Sequence, residues 1–103
     1  MLLKTAPFFF GSRFVQFTSA KHQVEGLIHQ TDTHLEILAI RSLEPGNGNV
    51  HRFIDECKQE FQTISVWEVW NPDFYKALRR WGFRPCKTIE DGKKVKGLRW
   101  SKP

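Results

Sequence analysis

The chain has 103 residues, of which 40% are hydrophobic and 26% charged, with a formal charge of +5 and two cysteines. That length supports one domain with a modest core and excludes two. No apolar run reaches the roughly 20 residues that span a bilayer, and Cys57 and Cys86 lack metal-type spacing. The opening MLLKTAPFFF has one early Lys and no small-residue cleavage site, so it reads as structure rather than a signal peptide. The expectation is a single globular domain over residues 1–103, cytoplasmic, without a membrane partner.

Residues 7–18 hold two apolar pieces, PFFF and RFVQFT, separated by Gly11 and Ser12. The second alternates loosely and predicts a strand. After a turn over 19–23, VEGLIHQ (Val24–Gln30) predicts a second strand, where Gly26 marks a bulge or a close approach. Thr31-Asp32-Thr33 is a tight turn, and His34–Arg41 is a third strand. Turns this short join antiparallel neighbours, because parallel ones need long crossovers.

A turn carrying Gly46 and Gly48 follows, and then Val50, Phe53, Ile54, Cys57 and Phe61 recur at helical spacing. Cys57 falls on that stripe as a small buried hydrophobe. A glycine turn opening a helix can hold a phosphate through backbone N–H groups and the positive helix end. TISVWEVW (Thr63–Trp70) is apolar on both faces except for Glu68 and predicts a central strand, parallel to an earlier one across the helix. Asn71-Pro72-Asp73 are start signals for a second helix, with Phe74, Ala77, Leu78 and Trp81 as its stripe and Gly82 as its cap. Phe83–Ile89 and Lys94–Trp100 flank the Asp91-Gly92 turn as a hairpin. The predicted architecture is α/β with a mixed central sheet, in the order β-β-β-α-β-α-β-β.

From about Leu35 to Phe83 the chain resembles the GNAT superfamily of acyl-CoA-dependent N-acyltransferases. LAIRSLEPGNGNVHRFI matches the family's strand, glycine loop and helix without gaps. NPDFYKALRRWGF resembles its later helix, which ends in a Gly-Phe pair. Too few residues precede Leu35 for the two helices that the family usually places after its first strand, so the chain reads as a reduced version. The loop also departs from the pattern. Pro45 stands at the Gln/Arg position and has no N–H to donate, and Val50 stands where a small residue lets the backbone approach the phosphate.

The resemblance implies acyl transfer from acetyl-CoA, or another acyl-CoA, by direct attack of an amine on the thioester. It assigns cofactor contacts to Leu38, Ala39 and Ile40 in the strand, to Gly46, Asn47, Gly48, Asn49 and Val50 in the loop, and to Asn71 at the next strand end. Glu36 occupies the place of a water-mediated base, with His34 on the same face. The family's tyrosine acid aligns with Leu78, leaving Tyr75, one turn earlier, as a substitute acid or a structural aromatic. Glu68 is a second candidate base, which must line a cleft or pair with an Arg. The acceptor is an amine of unspecified identity. No histidine spacing suggests a metal, and His51 is either an exposed helix residue or a phosphate contact.

Charge supports a different class of function. Residues 1–75 hold six Lys/Arg against nine Asp/Glu, and residues 76–103 hold ten against two. A basic C-terminal third with Trp81 and Trp100 interleaved suits an anionic partner, nucleic acid included, or a solvated cationic face. A third alternative is a catalytically degenerate domain that binds a protein partner or forms a homodimer.

Overall fold

A computed structural model describes residues 13–103 together with the backbone of Thr5 and Ala6. The PFFF piece and the first residues of the chain lie outside this range. The strands are β1 (Thr5–Ala6), β2 (Val15–Ser19), β3 (Val24–Gln30), β4 (His34–Ser42), β5 (Thr63–Trp67), β6 (Arg84–Glu90) and β7 (Lys93–Ser101). The helices are α1 (Asn49–Glu60) between β4 and β5, and α2 (Pro72–Arg80) between β5 and β6. Apart from the two-residue β1, the sheet has six strands, in the spatial order β2-β3-β4-β5-β7-β6.

Short turns make β2, β3 and β4 an antiparallel meander, and β6 and β7 an antiparallel hairpin. Among the described residues the one parallel pair is β4 with β5, where Leu35 lies opposite Ile64 and Ile37 opposite Val66. Its connection runs through α1, as the sequence pattern requires. Strand β5 is buried on both faces from Ile64 to Trp67, which explains why large apolar residues lie on both of them.

Both helices pack on the same face of the sheet. Phe53, Ile54 and Cys57 of α1 and Leu78 of α2 join Val24, Ile28, Leu35, Ile37, Ile64, Val66, Phe83 and Leu98 in one core. Phe17 stacks on Phe53 with ring centroids 5.2 Å apart. The helices also meet directly, because His51 stacks flat on Trp81 at 4.2 Å. His51 is an exposed residue of α1, as one of its two readings has it, with this stack on one face. Trp81 is half-buried against the core, and so is Trp100. Trp100 also takes the Lys58 ammonium over its ring at 5.4 Å.

Helix α2 begins as its sequence indicates: Asn71 Oδ1 accepts from the N–H groups of Asp73 (2.8 Å) and Phe74 (3.1 Å), with Pro72 at the first helical position. It ends with Gly82 at φ 93°, and the N–H of Phe83 donates to the Leu78 carbonyl at 3.0 Å. That is the six-to-one bond of a glycine-terminated helix. Gly26 is a close approach: a Cβ there would collide with the Ala39 carbonyl.

The strand ends otherwise shift by about a residue, and two central strands depart further from expectation. Strand β5 stops at Trp67 rather than Trp70, because Glu68 adopts φ 54° and its N–H donates to the Lys96 carbonyl at 2.9 Å. Strand β4 carries one extra residue. Leu27 lies opposite Ala39 and Ile28 opposite Ile37, so Leu38 is bulged out of the ladder.

Candidate functional site

Alternate residues of the central strands face away from the helices. On that face lie His34 and Glu36 of β4, Thr63, Ser65 and Trp67 of β5, and Arg99 of β7, placed side by side by the registers His34–Thr63, Glu36–Ser65 and Ser65–Arg99. No described helix covers them. They form one polar network, in which Trp67 Nε1 donates to Glu36 Oε1 at 2.9 Å and Arg13 Nη2 donates to the same oxygen at 2.9 Å. Arg13 is also paired with Glu90 of β6, so one guanidinium ties β4 to the far edge of the sheet. Arg99 Nε donates to Oγ of the fully buried Ser65 at 2.8 Å. Thr63 Oγ1 is hydrogen-bonded to His34 Nδ1, leaving Nε2 as the open ring nitrogen.

The protonation states follow from these contacts. Burial lowers the pKa of His34, and the nearby Glu36 carboxylate only partly offsets it, so the imidazole is neutral at neutral pH. Burial alone would raise Glu36, but the hydrogen bonds from Arg13 and Trp67 outweigh it and hold the carboxyl below its ordinary range. A carboxylate held by two donors is a poor proton acceptor, whereas the neutral imidazole two residues away on the same face is a competent one.

Both shifts make stability depend on acid in the same direction. Each group has a lower pKa folded than unfolded, so the unfolded chain binds more protons as pH falls. Stability is full above the unfolded values and is lost on acidification. His34 contributes first, from near-neutral pH downward, and Glu36 next, through the carboxylate range. Glu56, held low by hydrogen bonds from Lys21 and His22, adds to the second stage. The melting temperature is expected to fall continuously from pH 7 to pH 4, and less steeply in Glu36→Gln below pH 5. A flat profile over that range would contradict the assignment.

Beyond the polar network, β4 and β5 part. Their pairing ends at Ile37–Val66, and β4 runs on through Leu38 to Ser42 with only β3 as a partner. The result is a notch in the sheet, with the bulged Leu38 at its apex. Leu38 and Ile40 are half-buried and Ala39 is exposed. At the open end of β4 the loop over 43–48 turns through Gly46 (φ 91°) and Gly48 (φ 67°), both left-handed, and Gly48 precedes the first turn of α1.

Three side chains define the surroundings of this loop. Val50 is half-buried against the core, on the stripe of α1 to which its spacing assigns it. Asn49 is buried, and its Nδ2 donates to Ser42 Oγ at 3.1 Å, which makes its side chain a brace of the loop. Arg52 folds back over the turn, its Nη1 donating to the Asn47 carbonyl at 2.6 Å and its Nη2 to Asn49 Oδ1. The loop thus carries a guanidinium that a reading of backbone donors alone overlooks.

The remaining candidates lie apart from this network. Asn71 commits its side-chain oxygen to the cap of α2. Glu68 and Tyr75 line a cavity of about 620 Å³ on the β6–β7 side, facing the hairpin rather than β4. Glu68 therefore meets the cleft-lining alternative, and Tyr75 is not brought together with Glu36. A second hollow, of about 340 Å³, lies over Gln16, Thr18, Leu27 and Ala39 and is edged by the Arg41–Glu25 ion pair. Burial pushes the Cys57 thiol up to about 12, so it is no nucleophile. Among the described residues no cluster of His, Cys, Asp and Glu is placed to hold a metal, and no helix is long and apolar enough to cross a membrane.

Arg13, Ser65, Trp67, Arg99 and Arg52 have no signature in the sequence. The first four meet through strand pairing, and Arg52 through a loop bend. Comparison with family models, with curated proteins and with solved structures finds no match to this chain.

Proposed function

We propose that the chain is a reduced GNAT-like domain that binds an acyl-CoA and transfers its acyl group to an amine. The observation that carries this reading is the notch: a bulge at Leu38, followed by the rest of β4 to Ser42 with one edge unpartnered on the β5 side. An unpaired strand edge takes an extended ligand that carries amides, as another strand would be taken. The pantetheine arm of coenzyme A is such a ligand. The left-handed Gly46–Gly48 turn, the start of α1 and the Arg52 guanidinium stand at the end of the same strand, suited to its pyrophosphate.

Within this reading the amine attacks the thioester carbonyl, nitrogen becomes bonded to the acyl carbon, and the carbon–sulfur bond breaks to release the thiolate. His34 receives the proton that the amine gives up. Glu36 steadies the imidazolium that forms, itself held in place by Arg13 and Trp67. Tyr75 has no part in the step.

Titration with acetyl-CoA, followed by thermal shift, tests the binding. Saturation at about a hundredfold over Kd stabilises the fold by about 2.7 kcal/mol, and Gly48→Val, which forces a branched residue into a left-handed position, abolishes the shift. The absence of any shift at millimolar acetyl-CoA would refute the reading. Release of free thiol from acetyl-CoA in the presence of simple amines, lost in His34→Ala, reports the transfer step.

A further inference from the structure

The 620 Å³ cavity has a composition that acyl transfer does not use. Its floor is the face of the β6–β7 hairpin next to α2, where Lys87, Lys94 and Lys96 converge. Lys87 and Lys96 are direct cross-strand partners. Like charges directly opposite each other on a sheet destabilise it, and none of the three lysines makes an ion pair among the described residues. Among the described residues the one acidic side chain lining the cavity is Glu68, the left-handed residue that follows β5. Three ammonium groups thus face a single carboxylate.

The opposite wall is aromatic. Trp70 is 85% exposed, the most exposed large apolar side chain among the described residues, and Tyr75 on α2, also exposed, lines the same cavity. Val69, Pro85 and Leu98 complete an apolar lining. A ring left in water next to uncompensated cations presents both halves of a recognition surface: a stacking platform for a planar group, and donors for an anion attached to it. The volume is that of a small-molecule site.

We propose that this cavity is a second binding site, for a nucleotide unit, with its base stacked on Trp70 and Tyr75 and its phosphate held by Lys87, Lys94 and Lys96. The unit is either a free nucleotide or one residue of a single-stranded nucleic acid. Both present the same base and phosphate, so the test separates them. The site is argued independently of the acyl-CoA reading, because it rests on the β6–β7 hairpin and the residues around the start of α2, whereas the notch rests on the unpaired stretch of β4.

The full chain is titrated at low ionic strength with ATP, with inorganic phosphate and with a short oligothymidylate, by calorimetry and tryptophan fluorescence. ATP or the oligonucleotide binds at least tenfold more tightly than phosphate alone. Trp70→Ala and the double substitution Lys94→Gln with Lys96→Gln each weaken the binding tenfold or more. These side chains are outside the core, so the variants keep the fold, which circular dichroism verifies. Preference for the oligonucleotide, with affinity that falls steeply with salt, identifies a strand as the source. Equal binding identifies the free nucleotide. No binding of either, or binding unchanged in both variants, overturns the proposal. Displacement of the bound nucleotide by acetyl-CoA also overturns it, since the ligand would then sit in the notch and the acyl-CoA reading would stand alone.

Discussion

Truncating Phe53 to alanine is expected to cost about 4 kcal/mol, within the range for a buried Phe replaced by Ala. The ring is 1% exposed, stacks on Phe17 and meets His22 edge-on. It stands where α1 presses on the meander, so no neighbouring loop is free to collapse into the space it leaves. For a domain of this size, 1 kcal/mol displaces the melting temperature by about 4–8 °C, so the variant should melt on the order of 15–30 °C lower. Urea denaturation should show a reduced midpoint and an unchanged slope. A loss below about 1 kcal/mol would mean that the core is not packed as described. Trp70→Ala, on the open wall of the cavity, serves as the contrast, with an expected change within about 0.5 kcal/mol.

Gly97→Ala should be nearly as damaging, although it adds one methyl group. The new Cβ would lie 2.5 Å from Cε3 of Trp67 and 2.5 Å from the Val66 carbonyl oxygen. Trp67 is only 4% exposed, bonded through Nε1 to Glu36 and covered by the Arg99 guanidinium at 5.7 Å from its ring. It has no free rotamer to retreat to. The expected cost is about 3 kcal/mol, at the upper end of overpacking, and the near-ultraviolet dichroism of the tryptophans should change with it. In a Trp67→Leu background the methyl meets a shorter side chain, so the penalty should shrink and the pair should be non-additive. Equal cost in both backgrounds would place the strain at the Val66 carbonyl instead.

How much of this was readable from the chain differs by element. Helix α2 was legible at both ends, because its signals are local: Asn71 and Pro72 at the start, Gly82 at the close. Strand β5 was legible as central, since Ile64, Val66 and Trp67 place large apolar side chains on both of its faces. Its end was not. Glu68 takes a left-handed conformation that nothing in its side chain announces, and the hydrogen bond to Lys96 that holds it comes from 28 residues downstream.

The candidate site divides in the same way. Gly46 and Gly48 declare their backbone by lacking a side chain, and Glu36 and His34 share a face by the strand period. The bulge at Leu38 arises only when β3 sets the register, and the donors on Glu36 come from Arg13 and Trp67, brought in by the loop and the neighbouring strand. Val50, by contrast, was legible: its side chain follows the stripe of α1 against the core, as the helical spacing indicates.

The place of β5 has a kinetic meaning. It is the one strand hydrogen-bonded to both the meander and the hairpin. Each of those two pieces closes through turns of a few residues, and α1 and α2 each form within a contiguous stretch. Joining them requires β5 to find β4 after the chain has run through the whole of α1, and β7 to find β5 after it has run through α2 and β6. Loop-closure entropy grows with the length that must be bridged, and pairings distant in sequence form slowly. The seam along Thr63–Trp67 is therefore the last part of the sheet to zip, and until it does, the notch beside it has only one wall.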